Sequence, residues 1–266
     1  PLIAPEFDVD RQYQFKKGSG LPVKIPAIEM IEIGTGGGSI AQVDALRRLQ
    51  VGPRSAGSKP GPVSYGLGGT EPTVTDADLV LGYLDPKFFL GGKMSLDADG
   101  ARRALVERIG KPLNLEVTEA AWGVPQLANE SMASAARIHA IERGKDGQQL
   151  PIIAFGGAGP VHAYGVARIL RSPKVLYPVG AGVLSAIGLL TAPLAFDFVR
   201  SLPGPLDNLD LDAVNALYEQ MEAEAREILS RTVPVDKITF RRFADMRYRK
   251  QGYEIRLPFA AGALAA

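Results

Sequence analysis

The spacing of apolar residues changes along this chain, and each change marks an element. Glu29-Met30-Ile31-Glu32-Ile33 alternates polar and apolar side chains, which predicts a strand, because successive residues of an extended chain face opposite ways. It runs into Gly34-Thr35-Gly36-Gly37-Gly38, after which residues 39–44 and 48–51 read as a hairpin turning near Ala45 and Leu46. From Gly52 to Thr75 proline and glycine dominate, so a long loop of the kind that usually carries function is expected. Thr75-Asp76 is placed to cap a short helix through Leu79, Val80 and Leu84. Ser95, followed by Asp97 and Asp99, starts a second one through Ala101, Leu105 and Ile109 to Gly110. Val124, Leu127, Ala128, Met132, Ala135, Ile138 and Ile141 keep the three-and-four spacing of a helix burying one stripe. That helix is predicted over residues 118–144, with Pro125 restarting or kinking it and Gly144 ending it.

A short apolar strand, Pro151-Ile152-Ile153-Ala154-Phe155, leads directly into Gly156-Gly157-Ala158-Gly159-Pro160 and a helix through Val166 and Ile169. Lys174-Val175-Leu176-Tyr177 reads as another strand, and residues 183–190 as a short apolar helix entered from Gly180-Ala181-Gly182. Beyond Pro203-Gly204-Pro205, Leu211, Val214, Leu217, Met221, Ala225 and Leu229 line the inner face of an amphipathic helix, and residues 237–243 and 253–259 read as a hairpin. Residues 1–28 are extended and polar, with Gly18-Ser19-Gly20, Pro22 and Pro26 marking loop or edge-strand conformation. The pattern is α/β, in three parts: an N-terminal extended segment at 1–28, a central subdomain at 29–202, and a helix with the start of a β region at 203–266.

Composition narrows the functions. Thirty basic and 29 acidic residues leave a net charge of +1, with no electrostatic footprint for nucleic acid or anionic lipid. The absence of cysteine excludes disulfides, thiolate metal sites and a cysteine nucleophile, and His139 and His162 are the only imidazoles, so no metal site is assigned to the chain. The sequence has neither a membrane-spanning apolar run nor a secretory leader at its start, which reads as cytoplasmic. Opening on Pro1 rather than Met, the chain reads as a piece of something longer.

Consecutive glycines free backbone amides to converge on phosphate oxygens, and a helix starting just after the turn adds its positive end. Two loops have this form. Gly36, Gly37, Gly38 and Ser39 follow a strand and lead into another strand, as in an actin-type phosphate hairpin. Phe155, Gly156, Gly157, Ala158 and Gly159 lead into a helix, with Pro160 suited to its first turn. Tight turning and close packing would select the same residues, and the pattern alone leaves both explanations open.

Further strings fall in a fixed order around these loops: Val51-Gly52-Pro53-Arg54-Ser55-Ala56-Gly57, Pro60-Gly61-Pro62, Pro72-Thr73-Val74-Thr75-Asp76-Ala77, Phe89-Leu90-Gly91-Gly92, Asn129-Glu130-Ser131-Met132-Ala133, Val161-His162-Ala163, and Met246 through Tyr253 to Glu254. Together with the two glycine loops they resemble the hydantoinase A/5-oxoprolinase/acetone carboxylase family from about Gly34 to Tyr253. The resemblance implies part of an acetate kinase/Hsp70/actin-type ATPase fold, a mixed sheet with flanking helices, and ATP with Mg²⁺ in a cleft between two halves. On that mapping Phe155 to Pro160 is the adenosine-side loop, and Gly36 to Ser39 lie near the phosphates or substrate. No side chain is then expected to be tolerated at Gly156 or Gly157. The family's aspartate-glycine-glycine-threonine phosphate loops have no counterpart here, which implies weak ATP binding and little turnover by these 266 residues alone. The turn at Ala45-Leu46-Arg47 also lacks the glycines the family often carries there.

Asp76 is the candidate catalytic acid, able to orient Mg²⁺, a water or an amide; as a helix cap it would need no ligand, and general capping preference favours that use. His162, Asp44 and Glu130 stand in motifs but read more simply as structural. The family's chemistry is ATP-dependent: phosphorylating the oxygen of a hydantoin, 5-oxoproline or lactam turns a poor leaving group into a good one. Its carboxylating members activate a ketone instead. Either activity implies a hydantoinase B-like partner subunit or domain, and a nucleotide-binding module without its own chemistry is the contrasting possibility.

Overall fold

Helices carry most of the core of this chain, and the strands occur in pairs. The computed structural model describes residues 3–4, 7–9, 20–23, 27–252, 254–259, 262 and 264. Gly18, Ser19, Pro26 and Tyr253 of the sequence reading lie outside them. The chain divides into two units, Pro1–Thr191 and Ala192–Ala266, against an expected boundary between 202 and 203.

In the first unit β1 (Ile3–Ala4) pairs antiparallel with β4 (Ala27–Ile28), and β2 (Phe7–Val9) with β3 (Leu21–Val23). The strand expected at 29–33 is absent. Glu29 is held instead by a bidentate ion pair with Arg143 at the far end of a long helix, a tertiary contact in place of a ladder. β5 (Ser39–Val43) and β6 (Leu49–Ser55) form the expected hairpin, irregular between Ser39 and Ala41. Asp44 builds its turn by accepting from the amides of Leu46 and Arg48, both at 2.9 Å, and from the side chains of Arg48 and Gln50. These bonds, that from the Arg48 amide foremost, lower the Asp44 carboxyl below its ordinary value.

Next come α1 (Val74–Val80), α2 (Ala98–Leu105) continuing through a π-helical turn to Gly110, the single turn α3 (Lys111–Leu113), and α4 (Val117–Ile141), which runs unbroken through Pro125. Ala41, Val74, Ala77, Leu105, Ile109, Ala120, Ala121, Val124 and Ala128 make the main core. The buried stripe of α4 is therefore its small residues. Leu127, Ile138 and Ile141, expected inside, are 39%, 40% and 65% exposed, because close approach of helices selects size over hydrophobicity. β7 (Ile152–Ile153) pairs parallel with β8 (Val175–Leu176), and α5 (Gly159–Leu170) is the crossover between them. α6 (Leu184–Thr191) follows a short turn from Gly180 and buries none of its residues.

The expected α/β alternation is present. The expected mixed sheet is not: among the described residues every strand has one strand partner, and β6 packs against α4 while β5 packs against the π-helical turn and α1 rather than against further strands. In the second unit α7 (Leu211–Leu229) is capped by Asp210, β9 (Arg242–Met246) and β10 (Ile255–Phe259) form a hairpin, and the Tyr218 hydroxyl of α7 donates to the Phe243 carbonyl of β9. Arg242 ties the two by pairing with Glu222 at 2.7 Å while stacking over Tyr218.

Candidate functional site

The first glycine loop folds around its own serine. Ser39, 3% exposed, accepts from the Gly36 amide at 2.9 Å through its hydroxyl, and its amide donates to the Gly36 carbonyl at 3.0 Å. A Cβ at Gly38 would lie 2.8 Å from Ser55 Oγ, so glycine there lets the loop lie against β6. Gly37 makes the decisive contact. Its carbonyl accepts from the amide and the hydroxyl of Thr75, at 2.8 and 2.9 Å, which fastens the loop to the first turn of α1. A Cβ on Gly37 would stand 2.7 Å from Thr75 Oγ1 and 3.6 Å from the Ala158 methyl. The two loops, remote in sequence, thus meet.

The second loop leaves β7 after Ala154, and the Gly156 amide donates to the Ala181 carbonyl at 2.9 Å. Gly156 has φ +93°, a conformation that L side chains resist, whereas Gly157 does not occupy that region. An added Cβ at Gly36, Gly156, Gly157 or Gly159 would meet no atom within 4 Å. Among the described residues the amides of Gly157, Ala158 and Gly159 have no hydrogen-bond acceptor, and they stand at the N-terminal end of α5, where the helix dipole is positive. Phe155 is half exposed beside them. The α4 helix borders the site: Ser131 Oγ lies 3.1 Å from Thr35 Oγ1, and Asn129 Oδ1 lies 3.0 Å from His162 Nδ1.

Asp76 is fully buried and turned away from open space. Its carboxylate accepts from the amides of Val63 (3.1 Å), Ser64 (2.7 Å) and Thr73 (2.8 Å) and from the Thr73 hydroxyl (2.9 Å). The helix cap is Thr73, not Thr75-Asp76, and Asp76 is its capping-box partner. The three-residue spacing of Thr73 and Asp76 is the signal that identifies this box in the sequence. Thr75, freed from capping, is the residue that fastens the first loop to α1. Desolvation first and the Asp76 charge second raise the Tyr65 phenol above its ordinary value. Glu130 is exposed and Asp44 serves its own turn. A cavity of about 640 Å³ lined by Arg137, Lys145 and Arg171 lies at the opposite ends of α4 and α5, away from the loops.

Residues 2–198 match the hydantoinase/oxoprolinase family, so the match spans both loops and the helices that carry them. This chain belongs to that family. It is 43% identical over 201 residues to the caprolactamase subunit alpha of Pseudomonas jessenii, a stretch covering 75% of this chain and 29% of that one. The crystal structure of the ATP-dependent caprolactamase from Pseudomonas jessenii superposes with a TM-score of 0.62 at 36% identity, covering 97% of this chain and 37% of that one. A nucleotide-free acetone carboxylase structure superposes with a TM-score of 0.79 at 29% identity, covering 92% and 35%. This member of the hydantoinase/oxoprolinase family spans about a third of the length of the relatives it matches.

Proposed function

We propose that the two glycine loops form one wall of a nucleotide cleft in an actin-like domain, within residues 29–202, of a protein that uses ATP to open a cyclic amide. The approach of Gly37 to Ala158 carries the reading: it brings together two glycine-lined openings and the unpaired amides of Gly157, Ala158 and Gly159. These residues fit a nucleotide. Space that a Cβ would fill is open at Gly36, Gly156, Gly157 and Gly159, and amide hydrogens at a helix N-terminus suit anionic oxygen. Phe155 offers an aromatic face beside the loop for a base, and Gly37 and Gly38 let the first loop pack closely against Thr75, Ala158 and Ser55. ATP, when bound, would supply the phosphoryl group that makes an amide oxygen a leaving group. The part of this chain is to bind and orient, with Thr75 and Ser39 holding the first loop in shape. Asp76 braces the floor rather than reacting.

Mg²⁺ would come with the ATP phosphates, held through them and water with at most one or two carboxylates. Among the described residues no three His, Asp or Glu side chains gather around one point. The caprolactamase relative is named a subunit, which supports a partner subunit for this protein, and we propose that this partner is hydantoinase B-like. No helix among the described residues is long and apolar enough to cross a membrane.

A ketone carboxylase subunit is the second reading, favoured by the higher TM-score with acetone carboxylase. Phosphate release by the full-length protein with its partner, in ATP plus a hydantoin or lactam, is expected to exceed the substrate-free rate about tenfold or more. Stimulation by ketone and bicarbonate alone would transfer the assignment to the carboxylases. No stimulation by either would leave a nucleotide-binding module.

A further inference from the structure

Three helices meet at a buried polar centre that the nucleotide reading does not use. Asp78 from α1, Asn129 from α4 and His162 from α5 are 2%, 6% and 2% exposed. Both ring nitrogens of His162 face oxygens: Nδ1 lies 3.0 Å from Asn129 Oδ1, and Nε2 lies 3.3 Å from Asp78 Oδ2, out of line for a full hydrogen bond. The α5 helix rests directly on Asn129, since a Cβ at Gly165 would stand 2.2 Å from Asn129 Nδ2. Well-packed apolar side chains would generally hold such helices together as well or better, so a buried trio of this kind calls for a use.

Its position supplies one. α1 carries Thr75, which grips the carbonyl of Gly37, and one turn later Asp78, which faces His162 in the first turns of α5. One short helix therefore touches the first loop directly and the second through His162. We propose that His162 is a positioning residue, which with Asp78 and Asn129 fixes the start of α5 and so holds Ala158 against Gly37 in the wall of the cleft. This inference rests on the nucleotide reading of the two loops.

The test compares the full-length protein with D78L/H162L, which replaces the facing pair by apolar side chains, and with His162→Gln, which still reaches Asp78. ATP affinity is read by calorimetry and stability by thermal melting. The leucine pair is expected to stay folded while its Kd for ATP rises about tenfold or more, with His162→Gln within about threefold of wild type. A merely structural trio predicts normal affinity in every folded variant, and that result overturns the proposal. Should the leucine pair not fold, His162→Asn replaces it: one methylene shorter than Gln, it falls short of Asp78, and equal Kd values for the Gln and Asn variants would refute the tie. If the wild-type protein does not bind ATP, the nucleotide reading fails by itself. Hydrogen exchange then decides the tie: faster exchange of amides 157–159, 161 and 162 in D78L/H162L or His162→Asn supports it, and unchanged exchange there rejects it.

Discussion

Asp76→Ala is expected to lower stability by about 3 kcal/mol or more, because it orphans the buried amides of Val63, Ser64 and Thr73 and removes the capping-box partner of α1. The loss would spread. The carbonyl of Ser64, in the turn that Asp76 holds, accepts from the amide of Asp97, which caps α2. Asp76→Asn keeps one acceptor oxygen but turns an NH₂ group toward donors, so it should recover only part of the loss. Urea denaturation measures the ranking, wild type above Asn above Ala. A carboxylate that took part in the reaction would give the reverse picture: both variants stable, turnover lost.

Much of the local structure was legible because it depends on neighbours in sequence. The spacing of Ala101, Leu105 and Ile109 marked the second helix, although the helical backbone runs on through Gly110 to Leu113 and is stopped by Asn114 in the left-handed region, and the glycine runs marked both loops. What the sequence hid depends on distant partners. Alternation at 29–33 could not show that Glu29 would be claimed by Arg143 rather than by a neighbouring strand. Val124, Ala128 and Ala135 lie on the buried face of α4 as their spacing predicts, but Leu127 and Ile138, more apolar than the alanines that the crowded core admits, lie outside it. Capping preference spoke for Asp76 as part of a helix start but missed Thr73 as the cap. Nothing local placed Gly37 beside Ala158, a contact made by the packing of α4 with both α1 and α5.

Gly157→Val is expected to weaken ATP binding by the full-length protein about tenfold or more while moving the melting temperature little. The two glycines, expected to behave alike, differ in backbone. Gly156 sits at φ +93°, where valine should cost stability by about 1–2 kcal/mol whatever occupies the cleft. Gly157 carries no such strain, and its side-chain position is open, so a valine there meets only what binds in front of the loop. A turn glycine without a ligand would leave affinity normal in the folded variant. Calorimetric titration beside thermal melting of both variants separates strain from occlusion.

Amide hydrogen exchange of the full-length protein, with and without saturating ATP, reads both loops in one experiment. Nucleotide bound against this wall should slow exchange at residues 36–39 and 156–159 together. Protection at other residues, with both loops exchanging as they do in the free protein, would contradict a cleft built from them.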